Sequence, residues 1–162
     1  MTDILATKRR VLTEQLDLCQ RAAAALQHTW RKLDPERIGE SDPDLLEALE
    51  ALTARFARLE DILIKRVFRA IATVELADAE RLLDVPDLME GLHLIAGTEQ
   101  WVELKELRNA IVHEYELDGL PALQRRVYQA VPILLDTLDA VSGYVANQLA
   151  AVPPPQDSVG GS

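Results

Sequence analysis

Apolar residues recur every three or four positions from Leu5 onward, and Leu12, Leu16, Cys19, Ala23, Leu26, Trp30 and Leu33 trace one face of a helix about 30 residues long. No alternation of period two interrupts them. Asp34 and Pro35 end the element, because the residue before a proline is pushed out of the α region, and Gly39 and Pro43 mark the connection that follows. Ser41 or Asp42 supplies an N-cap for a second helix with Pro43 near its first position. Its stripe of Leu45, Leu49, Leu52, Phe56, Leu59, Leu63, Val67, Ile71 and Val74 matches the first helix in length. A shorter helical piece is expected from Pro86 to Ile95, ended by Gly97. Thr98 then has N-cap chemistry for a helix through Trp101, Leu104, Leu107 and Ile111 to about Tyr115. Gly119 and Pro121 punctuate, and a last long helix carries Leu123, Val127, Val131, Leu134, Leu138, Val141, Val145 and Leu149. Pro132 should kink it, since it removes one backbone hydrogen bond.

Three long helices and two shorter ones predict an all-α fold, an antiparallel bundle of about five helices. The pattern places one domain over residues 1–150, and the Pro-, Gly- and Ser-rich end "PPPQDSVGGS" makes 151–162 a disordered tail. Composition agrees: hydrophobic residues reach 48% while aromatics are 4%, and glycine, at 7 of 162 residues, is too scarce for a loop-rich β protein. A chain of this size buries about two-thirds of its extended surface, enough for one core.

Charge narrows the function. With 17 basic and 27 acidic residues the formal net charge is −10, which argues against general attraction to nucleic acid or an anionic membrane. A polyanion would have to be met by a local patch. The single Cys19 lies on the apolar stripe of the first helix and reads as a small core residue rather than a nucleophile. The segment "MTDILATKRRVLTEQ" carries charges where a signal peptide needs its apolar stretch, and no uncharged apolar run approaches the ~20 residues that span a bilayer. The expectation is a soluble protein of a reducing cytoplasm, with no membrane partner.

Three stretches carry chemistry worth weighing. "EGLH", Glu90 to His93, has the Glu-x-x-His spacing of di-iron bundles, but such a site needs a second copy and the chain has none, so no metal is expected. The second helix concentrates Arg55, Arg58, Lys65, Arg66 and Arg69, most of them on one broad face. That face reads either as solvated and laced with pairs such as Asp61 to Lys65, or as a phosphate-tracking patch to which Lys105, Arg125 and Arg126 add. The third stretch is "RNAIVHEY", residues 108 to 115. Asn109 and His113 share a helix face, whereas Arg108 and His113 differ by ~7.5 Å along the axis and ~140° around it. A site using both is completed most easily by a second chain. The looser pattern of an Arg followed by a His also fits Arg21 and His28, but with no polar neighbour after the Arg and no Tyr after the His.

The segment "GTEQWVELKELRNAIVHEY", residues 97 to 115, resembles the signature of the HEPN domain superfamily, in particular the HepT-like branch paired with minimal nucleotidyltransferases in toxin–antitoxin operons. The branch's pattern of Arg, polar residue, three positions, His, one position, Tyr falls on Arg108, Asn109, His113 and Tyr115. Upstream, "ARFARLEDILIKRVFR", 54 to 69, is similar to the same family's second helix.

The resemblance implies an all-helical homodimer whose motif-bearing helices face each other across a cleft and which cleaves RNA without a metal or other cofactor. The residue types suit that chemistry. A His, with an ordinary pKa of about 6.5, can take the proton of a ribose 2′-hydroxyl, and an Arg can stabilise charge building on the phosphate. Asn109 would position the phosphate or orient the His, and attack by the 2′-oxygen would leave a 2′,3′-cyclic phosphate. Lys65, Arg66, Arg69 and Lys105 are the expected RNA-binding cations. The resemblance also implies control by a cognate nucleotidyltransferase antitoxin that attaches AMP to Tyr115, placing bulk and negative charge near Arg108. Residue by residue, Tyr115 also fits a core or interface aromatic and His113 a capping or buried residue. The alternative function is a non-catalytic adaptor or substrate-binding subunit of the nucleotidyltransferase. A metal-dependent bundle oxidoreductase stands third.

Overall fold

The long apolar stripe of the N-terminal segment becomes α1, Thr2–Lys32, with Leu12, Leu16, Cys19, Ala23 and Leu26 buried along one side. The computed structural model describes residues 2–76, 85–113 and 119–151. After α1 a single 3₁₀ turn, Pro35–Arg37, is capped by the Asp34 carboxylate, which accepts from the Glu36 N–H at 3.0 Å. Helix α2, Pro43–Ile62, starts where Asp42 accepts from the Asp44 N–H at 3.1 Å, so Asp42 rather than Ser41 is the cap. Arg37 bridges Glu40 and Asp42 across the connection.

The second predicted helix keeps its expected span, from Pro43 to Glu75, but is less regular than its pattern implies. A π-helical turn, Leu63–Val67, joins α2 to α3, Phe68–Glu75, and the Phe68 N–H bonds to the Leu63 carbonyl five residues back. The extra residue widens the helix at one turn, a distortion that concentrates at functional sites. Two short elements follow: α4, Val85–Gly91, and α5, Thr98–His113. The chain closes with α6, Leu120–Ala150.

Helix α4 stops earlier than expected. His93 takes the left-handed conformation at φ 58°, its N–H bonds to the Glu90 carbonyl, and the Leu94 N–H reaches back to the Met89 carbonyl. These paired bonds form a Schellman cap, so His93 does the work expected of Gly97. Thr98 is the first residue of α5 itself.

Pro132 lies inside α6, which runs on through it. Without a proline N–H the Tyr128 carbonyl loses its helical donor, and the Trp30 indole N–H supplies one at 3.1 Å from α1. The two rings also lie together, with centroids 5.5 Å apart. The Tyr144 hydroxyl donates to Glu75, and Gln148 donates to the same carboxylate, tying the end of α3 to α6.

All the described helices share one core, in which Phe56 and Phe68 are the largest fully buried side chains. Cys19 is fully buried in it, and burial pushes its thiol up to about 12, which suits a packing role. The described residues are helical with turns and no strand, as the periodicity predicts, and no helix among them is long and apolar enough to cross a membrane. The expected tail lies, from residue 152 onward, outside the described residues.

Candidate functional site

Helix α5 is anchored by Leu104 and Leu107, both buried, with Trp101 and Ile111 half-buried beside them. Trp101 stacks on Phe68 of α3 at 5.2 Å between centroids and 24° between planes. That docking fixes the rotation of α5 and turns Arg108 towards α2. There its Nε donates to Asp61 Oδ1 at 3.0 Å and its Nη2 to Asp61 Oδ2 at 2.9 Å, a two-pronged fork that holds the guanidinium plane. Nη1 is left facing Asn109 Oδ1 at 3.4 Å. Arg108 therefore presents one edge beside Asn109 while the opposite edge is locked to the scaffold.

Asp61 is the hub of this arrangement, because Lys65, one turn along, also reaches its Oδ1 at 2.9 Å. Burial pushes the Asp61 carboxyl up, but the hydrogen bonds from Arg108 and Lys65 outweigh it and hold the group below the usual carboxylate range. The Asp61 carboxylate in turn raises the affinity of the Arg108 guanidinium for its proton. Next to Asp61, Glu60 is only 3% exposed. Burial first, and the Asp61 charge second, push it up to about 7, against the opposing pull of Arg108 and Lys65. One of two adjacent carboxyls is ionised and clamped while the other titrates near neutrality, a separation typical of built polar sites.

These groups line a cavity of about 410 Å³ between the α2–α3 rod, α4 and α5. Lys65, Arg69, Lys105 and Arg108 supply four cations against Glu60 and Asp61, and Ile64, Val85, Pro86 and Trp101 form the apolar wall. Arg69 and Lys105 make no ion pair among the described residues. An anion with an apolar part is the matching ligand chemistry.

Of the residues singled out from the sequence, Arg108, Asn109, Lys65, Arg69 and Lys105 meet at this one cavity. Arg66 lines an adjoining depression on the α1 side. Arg125 donates to the Ile38 carbonyl and Arg126 lines a separate depression with Gln100 and Glu103, so neither belongs to the patch. Arg55 is committed to the Ala25 carbonyl at 3.0 Å and to the Thr29 hydroxyl. His113 is the last described residue of α5, exposed and away from the cavity lining. Tyr115 lies outside the described residues. Glu90 and His93 do not share a helix face, since His93 sits beyond the end of α4.

Sequence reasoning passed over Glu60 and gave Asp61 only its local partner. Glu60 had a visible signal, an acidic residue four after Phe56 and three before Leu63, inside the apolar stripe. The Asp61 to Arg108 pairing spans 47 residues and leaves no local trace. Neither the scan against protein-family models nor the searches of the curated proteins and of the solved structures finds a match for this chain.

Proposed function

We propose that the chain is a homodimeric, metal-independent endoribonuclease of the HEPN type, a toxin whose site uses Arg108, Asn109 and His113 and which a cognate nucleotidyltransferase silences by AMPylating Tyr115. The reading rests on the resemblance of residues 97 to 115, and the observation that carries it furthest is the Asp61 fork. An arginine fixed in advance, whose remaining Nη1 edge is shared only with Asn109, in a cavity richer in cations than in acids, is organised to receive phosphate charge with little reorganisation. Val102 and Val112 add support, being 49% and 42% exposed on the outer side of α5. Val102 falls on the same stripe as Asn109 and His113, as a helix covered by a second copy requires.

In this mechanism His113, contributed by a second copy across the dimer, accepts the proton of a ribose 2′-hydroxyl. The 2′-oxygen attacks phosphorus, the bond from phosphorus to the 5′-oxygen breaks, and the 5′-oxygen leaves with a proton drawn from water, to which His113 returns the one it took. The products are a 2′,3′-cyclic phosphate and a 5′-hydroxyl. Arg108 balances the charge gathering on the non-bridging oxygens and Asn109 orients the phosphate.

A second reading has its own observation. The fork to Asp61 is also what a structural pin between α5 and α2 looks like, and it suits a non-catalytic adaptor subunit. The two separate on one experiment: purified chain is incubated with RNA in a chelator and its intact mass is measured alongside. Cleavage is expected from chain carrying no AMP. Intact RNA with chain of unmodified mass would favour the adaptor.

A further inference from the structure

Two further depressions continue from the Arg108 cavity along the groove between α1 and α2. The nearer, about 720 Å³, shares Asp61 and Lys65 with that cavity and adds Arg58 and Arg66. The farther, about 290 Å³, shares Leu18 and Arg58 with the nearer and adds Arg21 and Arg55. Shared lining residues make the three one track. Eight of the chain's 17 basic residues line it, but only two of its 27 acidic residues, both at the cavity end. In a chain of net charge −10 that is a strong segregation.

We propose that this groove is the path of a single-stranded RNA backbone leading into the Arg108 cavity, an assignment that rests on the ribonuclease reading. Arg58 and Arg66 are exposed and have no ion pair among the described residues, so a phosphate supplies the counter-charge each lacks. Arg55 instead holds α2 to α1 through the Ala25 carbonyl, and Arg21 is already paired with Asp17 at 3.1 Å. Ala22, Ala25 and Ala57 line the groove with small side chains that leave it open. Helices packed at ~8–10 Å between axes leave a furrow that follows one strand, not a duplex. From Arg55 to Arg69 the rod covers about 21 Å, the scale of the shortest single-strand sites of ~4 nucleotides. The π-helical turn carries Arg66, which lines the groove, and Lys65, which lines both groove and cavity.

The test is fluorescence anisotropy with a short labelled single-stranded RNA and its duplex, on a His113→Ala background that keeps the RNA intact. Arg58→Glu with Arg66→Glu should weaken single-strand binding at least tenfold. It should also flatten the dependence of log K on log salt by ~1.4, about 0.7 for each phosphate that the variant no longer neutralises. Both side chains are exposed, so circular dichroism should not change. Arg31→Glu, exposed on α1 outside the groove, should weaken binding much less. Unchanged affinity and slope in the double variant, or an equal weakening in Arg31→Glu, would overturn the path and leave the ribonuclease reading standing. Tighter binding of the duplex would overturn the single-strand assignment, and a parent that binds no RNA would overturn path and reading together.

Discussion

Alanine in place of His113 should lower RNA cleavage by about 10²–10⁴-fold, the range lost when a positioned general base is removed, while thermal melting stays where it was. The separation follows from position. His113 is the last described residue of α5, and its exposed side chain makes no hydrogen bond among the described residues, so its removal takes nothing from the core. Arg108 offers no such clean test. Truncating it strips the fork from Asp61 and leaves a partly buried carboxylate with Lys65 alone, so lost activity and lost stability arrive together. Cleavage that persists in His113→Ala, in a preparation free of contaminating nuclease, would remove His113 from the chemistry.

Glutamine in place of Glu60 should abolish a pH dependence of stability worth about 3 kcal/mol between pH 4.5 and 7. The sign follows from the direction of the shift. Burial raises the folded-state pKa of this carboxyl from 4.5 to about 7, so the folded chain holds the proton more tightly than the unfolded one. That contribution is complete below the unfolded value and is lost as pH rises through about 7, where the group must ionise beside Asp61 despite the nearby Arg108 and Lys65. Glutamine keeps the shape and cannot ionise. Denaturant melts at about pH 5 and about pH 8.5 should therefore show the wild type losing stability on the alkaline side and Glu60→Gln gaining on it there. Parallel losses in both proteins would mean that Glu60 is not the titrating group.

The chain's architecture was legible wherever one face of one helix decided it. The stripe from Leu12 to Leu33 reads directly as α1, and Asp42 as a cap, because period and cap are local properties. Three features escaped because a distant or irregular partner settles them. The π-helical turn keeps the apolar stripe nearly in step, so its extra residue leaves little mark on the pattern. The donor lost at Pro132 is replaced by Trp30 from another helix. The end of α4 is set by a left-handed His93, a conformation for which glycine is the usual signal.

The site divides the same way. Residue types in "RNAIVHEY" marked a candidate site, but helical spacing alone could not say which way Arg108 turns. Its direction is set by Asp61 on α2, and with it the cavity that gathers Lys65, Arg69 and Lys105. The basic residues of the second helix looked like one broad face. In the fold Arg55 is a bracket to α1, Arg58 and Arg66 open on the groove, Arg69 opens on the cavity, and Lys65 lies between the two. Packing against two different helices splits a face that sequence periodicity joins.

If this helical chain directs attack by the RNA's own 2′-hydroxyl, the chemistry of the new ends is the most direct test. Total cellular RNA would be incubated with the purified wild type and with His113→Ala in the presence of a chelator, and the new ends mapped. The expected products are 2′,3′-cyclic phosphates paired with 5′-hydroxyls, from the wild type only. Ends carrying a 5′-phosphate, or cleavage that appears only when a divalent metal is restored, would contradict it.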